Sequence, residues 1–148
     1  MRKQGFTLIE LLVVLAIVAF LSVLSIPSFL KFLAKSKRSE AYMTLRSLYL
    51  AEKAYHMEHG SYAKRISGTA KDSLGWKAEG TLLYTYGFPS SCVVGDLKAP
   101  GSALKGANAS DKGFIIAAAG DIDNDGVCDV ITIDQDGKVK LVVDDLNG

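Results

Sequence analysis

The sequence has 148 residues, room for one domain plus a long N-terminal helix, and 49% of them are hydrophobic. Its formal charge of +1 excludes the strong electrostatic field of a nucleic-acid or polyanion binder. A cut after Gly5 would remove Arg2 and Lys3 and turn +1 into −1, which is equally uninformative about partners.

The chain opens with Met1-Arg2-Lys3-Gln4, a short positive flank, and from Phe6 the sequence is apolar with Glu10 as the only charge before Lys31. As a helix, Phe6 to Ile26 spans roughly 31 Å, the thickness of a bilayer core. The positive flank predicts a cytoplasmic N-terminus and an exported C-terminal part. A secretory signal would place a small-residue cleavage site after the apolar run. Here a helical pattern continues through Ser25-Ile26-Pro27-Ser28-Phe29, so the expected cut lies before it, between Gly5 and Phe6. A carboxylate at membrane depth costs roughly 3 kcal/mol on insertion scales, so Glu10 calls for a partner. The plainer alternative is a side chain solvated among headgroups.

Gly5-Phe6-Thr7-Leu8-Ile9-Glu10-Leu11-Leu12-Val13-Val14 resembles the N-terminal signature of type IV pilins and of the related pseudopilins of type II secretion. The detailed likeness covers about the first 60 residues, and Pro27 stands where that family's helix has its proline. The resemblance implies that a prepilin peptidase cleaves after Gly5 and that the new amine of Phe6 is methylated. It further implies that Glu10 pairs with the Phe6 amine of a neighbouring subunit, which fixes the axial register of a growing filament. It places residues 1–5 as a cleaved leader, 6–33 as the membrane and filament-core half of a helix, and 34–148 as a globular head.

Pro27 removes a backbone donor, so the helix is expected to kink or locally melt there. Beyond the apolar segment Lys31, Lys35, Lys37 and Arg38 mark its exit. From Ala41 the pattern becomes amphipathic. Ala41, Leu45, Leu48 and Tyr55 form a stripe, Met43, Tyr49 and Leu50 widen it, and Glu52 falls with the other charges outside it. Gly60 is the expected stop, and Tyr55 with Gly60-Ser61-Tyr62 resembles the family's helix exit. The whole is one helix of roughly fifty residues.

Residues 63–80 lack periodicity and read as a surface loop. Strands are expected over 81–88, with Leu82, Tyr84, Tyr86 and Phe88 on one face, then over 113–119, 129–134 and 138–143. The last two are joined through Asp136-Gly137, a hairpin signal. The fold class is α+β: a long helix against an antiparallel sheet, the architecture the resemblance also implies.

Cys92 and Cys128 lie in the part expected to be exported, where an even count reads as one disulfide, two separate buried thiols being the alternative. A bridge would close a loop of about 36 residues and contribute on the order of 3–4 kcal/mol in the chain-entropy account.

Asp121-Ile122-Asp123-Asn124-Asp125-Gly126-Val127-Cys128-Asp129 alternates carboxylates and then turns on a glycine. That pattern lets a short loop wrap a hard cation, and its spacing is similar to the calcium loops of EF-hands, dockerins and thrombospondin type 3 repeats. An EF-hand places its bidentate glutamate where this chain has Thr132. Asp121, Asp123, Asp125 and Asp129 are therefore the candidate Ca²⁺ ligands, and an acidic solvated turn is the alternative. His56 and His59, with Glu52 one turn earlier, could hold a transition metal, or the histidines could complement the helix dipole. Aromatic residues along the helix are explained by packing without an electron path. Asn108-Ala109-Ser110 fits a glycosylation sequon.

No nucleophile elbow, P-loop, dinucleotide loop or Cys/His pairing is present, so no enzyme is expected. The resemblance implies a structural subunit of a type IV pilus, held in the bacterial inner membrane with its head in the periplasm and extracellular once assembled. Its implied partners are copies of itself, prepilin peptidase, an inner-membrane assembly platform and minor pilins, with no nucleic acid. A type II secretion pseudopilin, a minor pilin and a membrane-tethered calcium module are the alternatives. The segment from Gly120 to Gly137 resembles certain pilins more than pseudopilins, and the expected disulfide leans the same way.

Overall fold

The first element is helix α1, Leu8–His59, in a computed structural model that describes residues 5–147 except the side chains of Pro27 and Asn147. Residues 1–4 of the expected leader and the Pro27 side chain, expected to matter in assembly, lie outside the described residues. The helical backbone is continuous through Pro27, so the expected local melting does not occur. The helix stops at Gly60, whose φ of 71° is left-handed and whose N–H donates to the His56 carbonyl at 2.8 Å. Glycine takes this conformation without the Cβ clash other residues meet.

The chain forms two compact units, one ending at Lys35 and one beginning at Ser36. In the first, every large hydrophobic side chain from Phe6 to Leu33 is exposed. A helix apolar all round must be covered by lipid or by other protein.

In the second unit the remaining part of α1 carries a buried stripe at Ala41, Leu45, Leu48 and Glu52, the i, i+4, i+7, i+11 positions of one helix face. Two expectations are corrected here. Tyr55 is only half-buried, and the fourth stripe position is held by Glu52, which is fully buried. Met43 and Leu50 are exposed and do not widen the stripe.

The sheet comprises β1 (Thr85–Phe88), β2 (Ser91–Val93), β3 (Asn108–Ser110), β4 (Gly113–Gly120), β5 (Asp129–Asp134) and β6 (Val139–Val143). All pairings are antiparallel, in the order β2-β1-β4-β5-β6, with β3 also on β4. β4 is long enough to take β3 along Gly113–Ile115 and β1 along Ala117–Ala119 on one edge, while β5 pairs along the other. The fold is thus α+β, with a long N-terminal helix followed by an antiparallel sheet.

One sheet face meets α1. Phe114 of β4 lies 6.1 Å from the Tyr49 ring and 5.0 Å from Tyr62, edge to face. Tyr84, Tyr86, Ile116, Ile131 and Ile133 complete a solvent-free core. The opposite face is covered near Ala119 by the segment leading into a short 3-10 turn, η1 (Gly101–Leu104), where the Thr85 hydroxyl donates to the Ala99 carbonyl at 2.9 Å.

Three expected strands occur within a residue of their predicted bounds, including the hairpin at Gly137, whose N–H donates to the Asp134 carbonyl at 2.9 Å. The strand expected over 81–88 is shorter. The carbonyls of Leu82 and Leu83 accept instead from Asp96 and Leu97, at 2.8 and 2.9 Å, which ends the ladder before Thr85. The 63–80 segment is irregular, yet it is not wholly a surface loop, because Ala63 and Ile66 are fully buried.

Candidate functional site

Two groups of side chains stand out, one in each unit. At the start of α1, Thr7 precedes the first helical residue and Glu10 sits three positions on. Thr7 N–H and Oγ1 both donate to Glu10 Oε2, at 2.9 and 2.6 Å, and Glu10 N–H donates to Thr7 Oγ1 at 3.3 Å. This reciprocal arrangement is a capping box, which satisfies donors that the first helical turn leaves unpaired. It also fixes the Glu10 carboxylate at the helix N-terminus, where the macrodipole favours negative charge. Phe6 is exposed immediately before it, and Gly5 precedes Phe6 in the chain. The Thr-x-x-Glu spacing was readable in the sequence as a helix start.

In the second unit, Arg38 of α1 meets β5 and the residues after β6. Its Nε and Nη2 donate to the two oxygens of Asp129, at 2.9 and 2.7 Å, and Nη2 also bonds Asp144. Tyr84 O–H donates to Asp129 Oδ2 at 2.9 Å, and Asp145 N–H to Oδ1 at 3.3 Å. Asp129 is fully buried, and this two-pronged pairing is what makes a buried carboxylate tolerable. Burial, then the charge of Asp129, pushes the Tyr84 phenol above its ordinary range.

Asp129 is therefore not a ligand in the acidic loop, and that expectation is corrected: all its acceptor positions face Arg38, Tyr84 and Asp145. Its place is taken by Asp145 of a second 3-10 turn, η2 (Asp145–Asn147). Asp121, Asp123, Asp125 and Asp145 each present a carboxylate oxygen, and these four atoms all lie within 4.8 Å of one another. The loop is shaped by Asp121, which accepts from Asn124 N–H at 2.6 Å and Gly126 N–H at 3.0 Å. Asp125 accepts from Val127 N–H at 2.8 Å. Asn124 and Gly126 both have positive φ, at 65° and 93°, the backbone reversal that brings alternate aspartates to one side. Lys37 donates to the Ile122 carbonyl at 2.8 Å and holds the loop to α1.

Asp145 is buried, and its Oδ2 accepts from Ile122 N–H at 2.8 Å. Among the described residues its Oδ1 has no hydrogen-bond partner. Burial, and then the charges of Asp123, Asp125 and Asp121, raises its carboxyl above the usual range. Burial and the same acidic surroundings raise the Cys128 thiol, which leaves it a weak nucleophile.

Cys92, on the edge strand β2, and Cys128, just before β5, are both free thiols in this structure, which does not pair them as expected. In the sheet β1 and β4 lie between those two strands. A bridge needs Cα atoms within about 7 Å, and each strand spacing alone takes up about 4.8 Å.

The histidines do not converge on Glu52. His56 stacks on Tyr62 at 4.4 Å and His59 on Tyr55 at 4.1 Å, while Glu52 Oε2 accepts from Ala63 N–H at 2.9 Å. Burial raises Glu52 to about 7, and among the described residues its Oε1 has no partner.

The N-terminal segment has known relatives. The prokaryotic N-terminal methylation motif matches residues 1–26. Over 62 residues the chain is 40% identical to the type IV major pilin protein PilA of Myxococcus xanthus (strain DK1622). That stretch is 42% of this chain and 28% of the Myxococcus protein, so the likeness covers well under half of the relative.

Proposed function

We propose, from the type IV pilin family that the motif and the Myxococcus relative support, that this chain is the structural subunit of a type IV pilus. That family is structural rather than enzymatic. One observation carries the reading: an uncovered apolar helix surface from Phe6 to Leu33 whose one carboxylate, Glu10, is oriented at the helix start.

In this reading the helix holds the subunit in the inner membrane, N-terminus inward, until it is polymerised, and a prepilin peptidase first cuts after Gly5. The amine of Phe6 is then methylated. On assembly the exposed apolar side chains exchange lipid for those of neighbouring subunits, so the gain comes from close packing rather than from removal of apolar surface from water. Neighbour amine and Glu10 then neutralise each other in a dry core, where a lone charge would be costly. The capping box holds Glu10 at the end of the helix that such an amine must approach. The assembly platform and minor pilins are partners of the same reading.

Glu10→Ala tests it. Leader cleavage is expected to persist while incorporation into filaments falls sharply. Normal filaments from the variant would sink the pairing argument. Mass spectrometry of filaments sheared from cells then separates the family's branches. Abundant chains beginning at methylated Phe6 are expected for a main pilus subunit, whereas scarce processed chain confined to membranes would favour a pseudopilin or minor pilin.

A further inference from the structure

The β4–β5 loop and the η2 turn bring four carboxylates together although Asp145 is distant from the other three in sequence. Asp121, Asp123 and Asp125 come from one reversal of the backbone, and Asp145 arrives from beyond β6. Asp145 is buried, and its Oδ1 finds no donor among the described residues. A buried, unpartnered carboxylate oxygen is costly unless something satisfies it. The nearest backbone donor, Ile122 N–H, is already spent on Oδ2, and no other described residue donates to Oδ1.

We propose that Asp121, Asp123, Asp125 and Asp145 form a binding site for a calcium ion that clasps the η2 turn to the β4–β5 loop. The donor set is all oxygen, which suits a hard cation and not zinc or copper. The spread of up to 4.8 Å also suits it. Oxygens on opposite sides of a calcium ion stand about 5 Å apart, whereas magnesium demands a tighter octahedron near 4 Å across. Four carboxylates leave coordination positions that loop carbonyls and water can fill.

The site has a structural role distinct from the filament reading and does not depend on it. Asp145 N–H is bound to Asp129, and neighbouring Asp144 to Arg38. An ion joining Asp145 to the loop therefore reinforces a ring through Asp129, Arg38 and Lys37 that the Ile122 N–H bond to Asp145 Oδ2 already closes. Bound calcium should order the segment after β6 and protect it from proteolysis.

The test uses the full chain in detergent micelles, titrated with calcium chloride or magnesium chloride after chelator treatment. One equivalent of calcium is expected to bind in the range of about 10⁻⁴–10⁻³ M, the extracellular-module class. It should raise the melting temperature and slow cleavage after Val143. Asp123→Asn, at an exposed position, and Asp145→Asn should each weaken binding about tenfold or more, because affinity follows the number of charged ligands. Asp136→Asn, on the β5–β6 hairpin outside the cluster, should bind as the parent does. Absence of binding at about 10 mM calcium, or undiminished binding by both cluster variants, would overturn the site. Magnesium binding as tight as calcium would overturn the assignment of the ion.

Discussion

Glu52 shows how far a single residue can depart from its pattern. Its spacing from Ala41, Leu45 and Leu48 puts it on the buried face of α1, but its charge suggests the solvent side. The geometry prevails, because Oε2 caps the backbone N–H of Ala63 where the chain leaves the helix. The cost appears as an affinity for protons. Burial raises the carboxyl from 4.5 to about 7, against which the Ala63 bond works only partly. The folded state thus binds this proton more tightly than the unfolded chain does. Stability from this group is fully present below about pH 4.5, falls as pH rises toward 7, and is level above that. The loss is on the order of 3 kcal/mol across the window. Denaturant melts of Glu52→Gln should lack that slope between pH 4.5 and 7, and identical slopes in parent and variant would refute the assignment. By contrast the motif around Gly5, Phe6 and Glu10 is contiguous in sequence and needs no tertiary contact to read, and the prokaryotic N-terminal methylation motif matches residues 1–26.

Among elements, α1 was legible at both ends for local reasons: an apolar run, an amphipathic continuation and Gly60. Its capping box makes a separate prediction. Thr7→Val removes the hydroxyl that bridges to Glu10, with a loss of about 1 kcal/mol at the helix start. Faster amide exchange at Leu8–Leu11 in micelles is expected, with fewer filaments formed, and Thr7→Ser should restore both. Unchanged exchange in Thr7→Val would mean that the box does not hold the helix start. Strands β4, β5 and β6 were readable from alternation and the Asp136-Gly137 turn. β2 and β3, three residues each, are too short to carry a period. The upper half of the strand expected over 81–88 was lost because Asp96 and Leu97 compete for the carbonyls of Leu82 and Leu83. Sequence alternation cannot foresee which partner a carbonyl will take.

For the whole molecule, the informative contacts join residues far apart in sequence. The acidic loop was visible as a run of aspartates, but its fourth member was misplaced. Asp129 follows the loop directly, yet the strand it begins turns it toward Arg38 and Tyr84, and Asp145 fills the position instead. No local rule links residue 145 to residue 121. Asp129→Ala would leave the Arg38 guanidinium without its buried two-pronged partner, at a cost of about 3–5 kcal/mol. Chemical denaturation should show this, and a change under about 1 kcal/mol would mean that Asp144 alone suffices for Arg38.

The bond from Arg38 to Asp144 spans 106 residues, and this sets an order of events during synthesis. Contacts of such separation close late, after the loop between them has been restrained. While the chain emerges, Arg38 waits for Asp129, and Asp129 in turn has no backbone N–H to accept until Asp145 follows. The head therefore reaches full stability only when residues 144 and 145 have emerged. Until those two residues fold in, the head stays loose however much of the sheet has already formed.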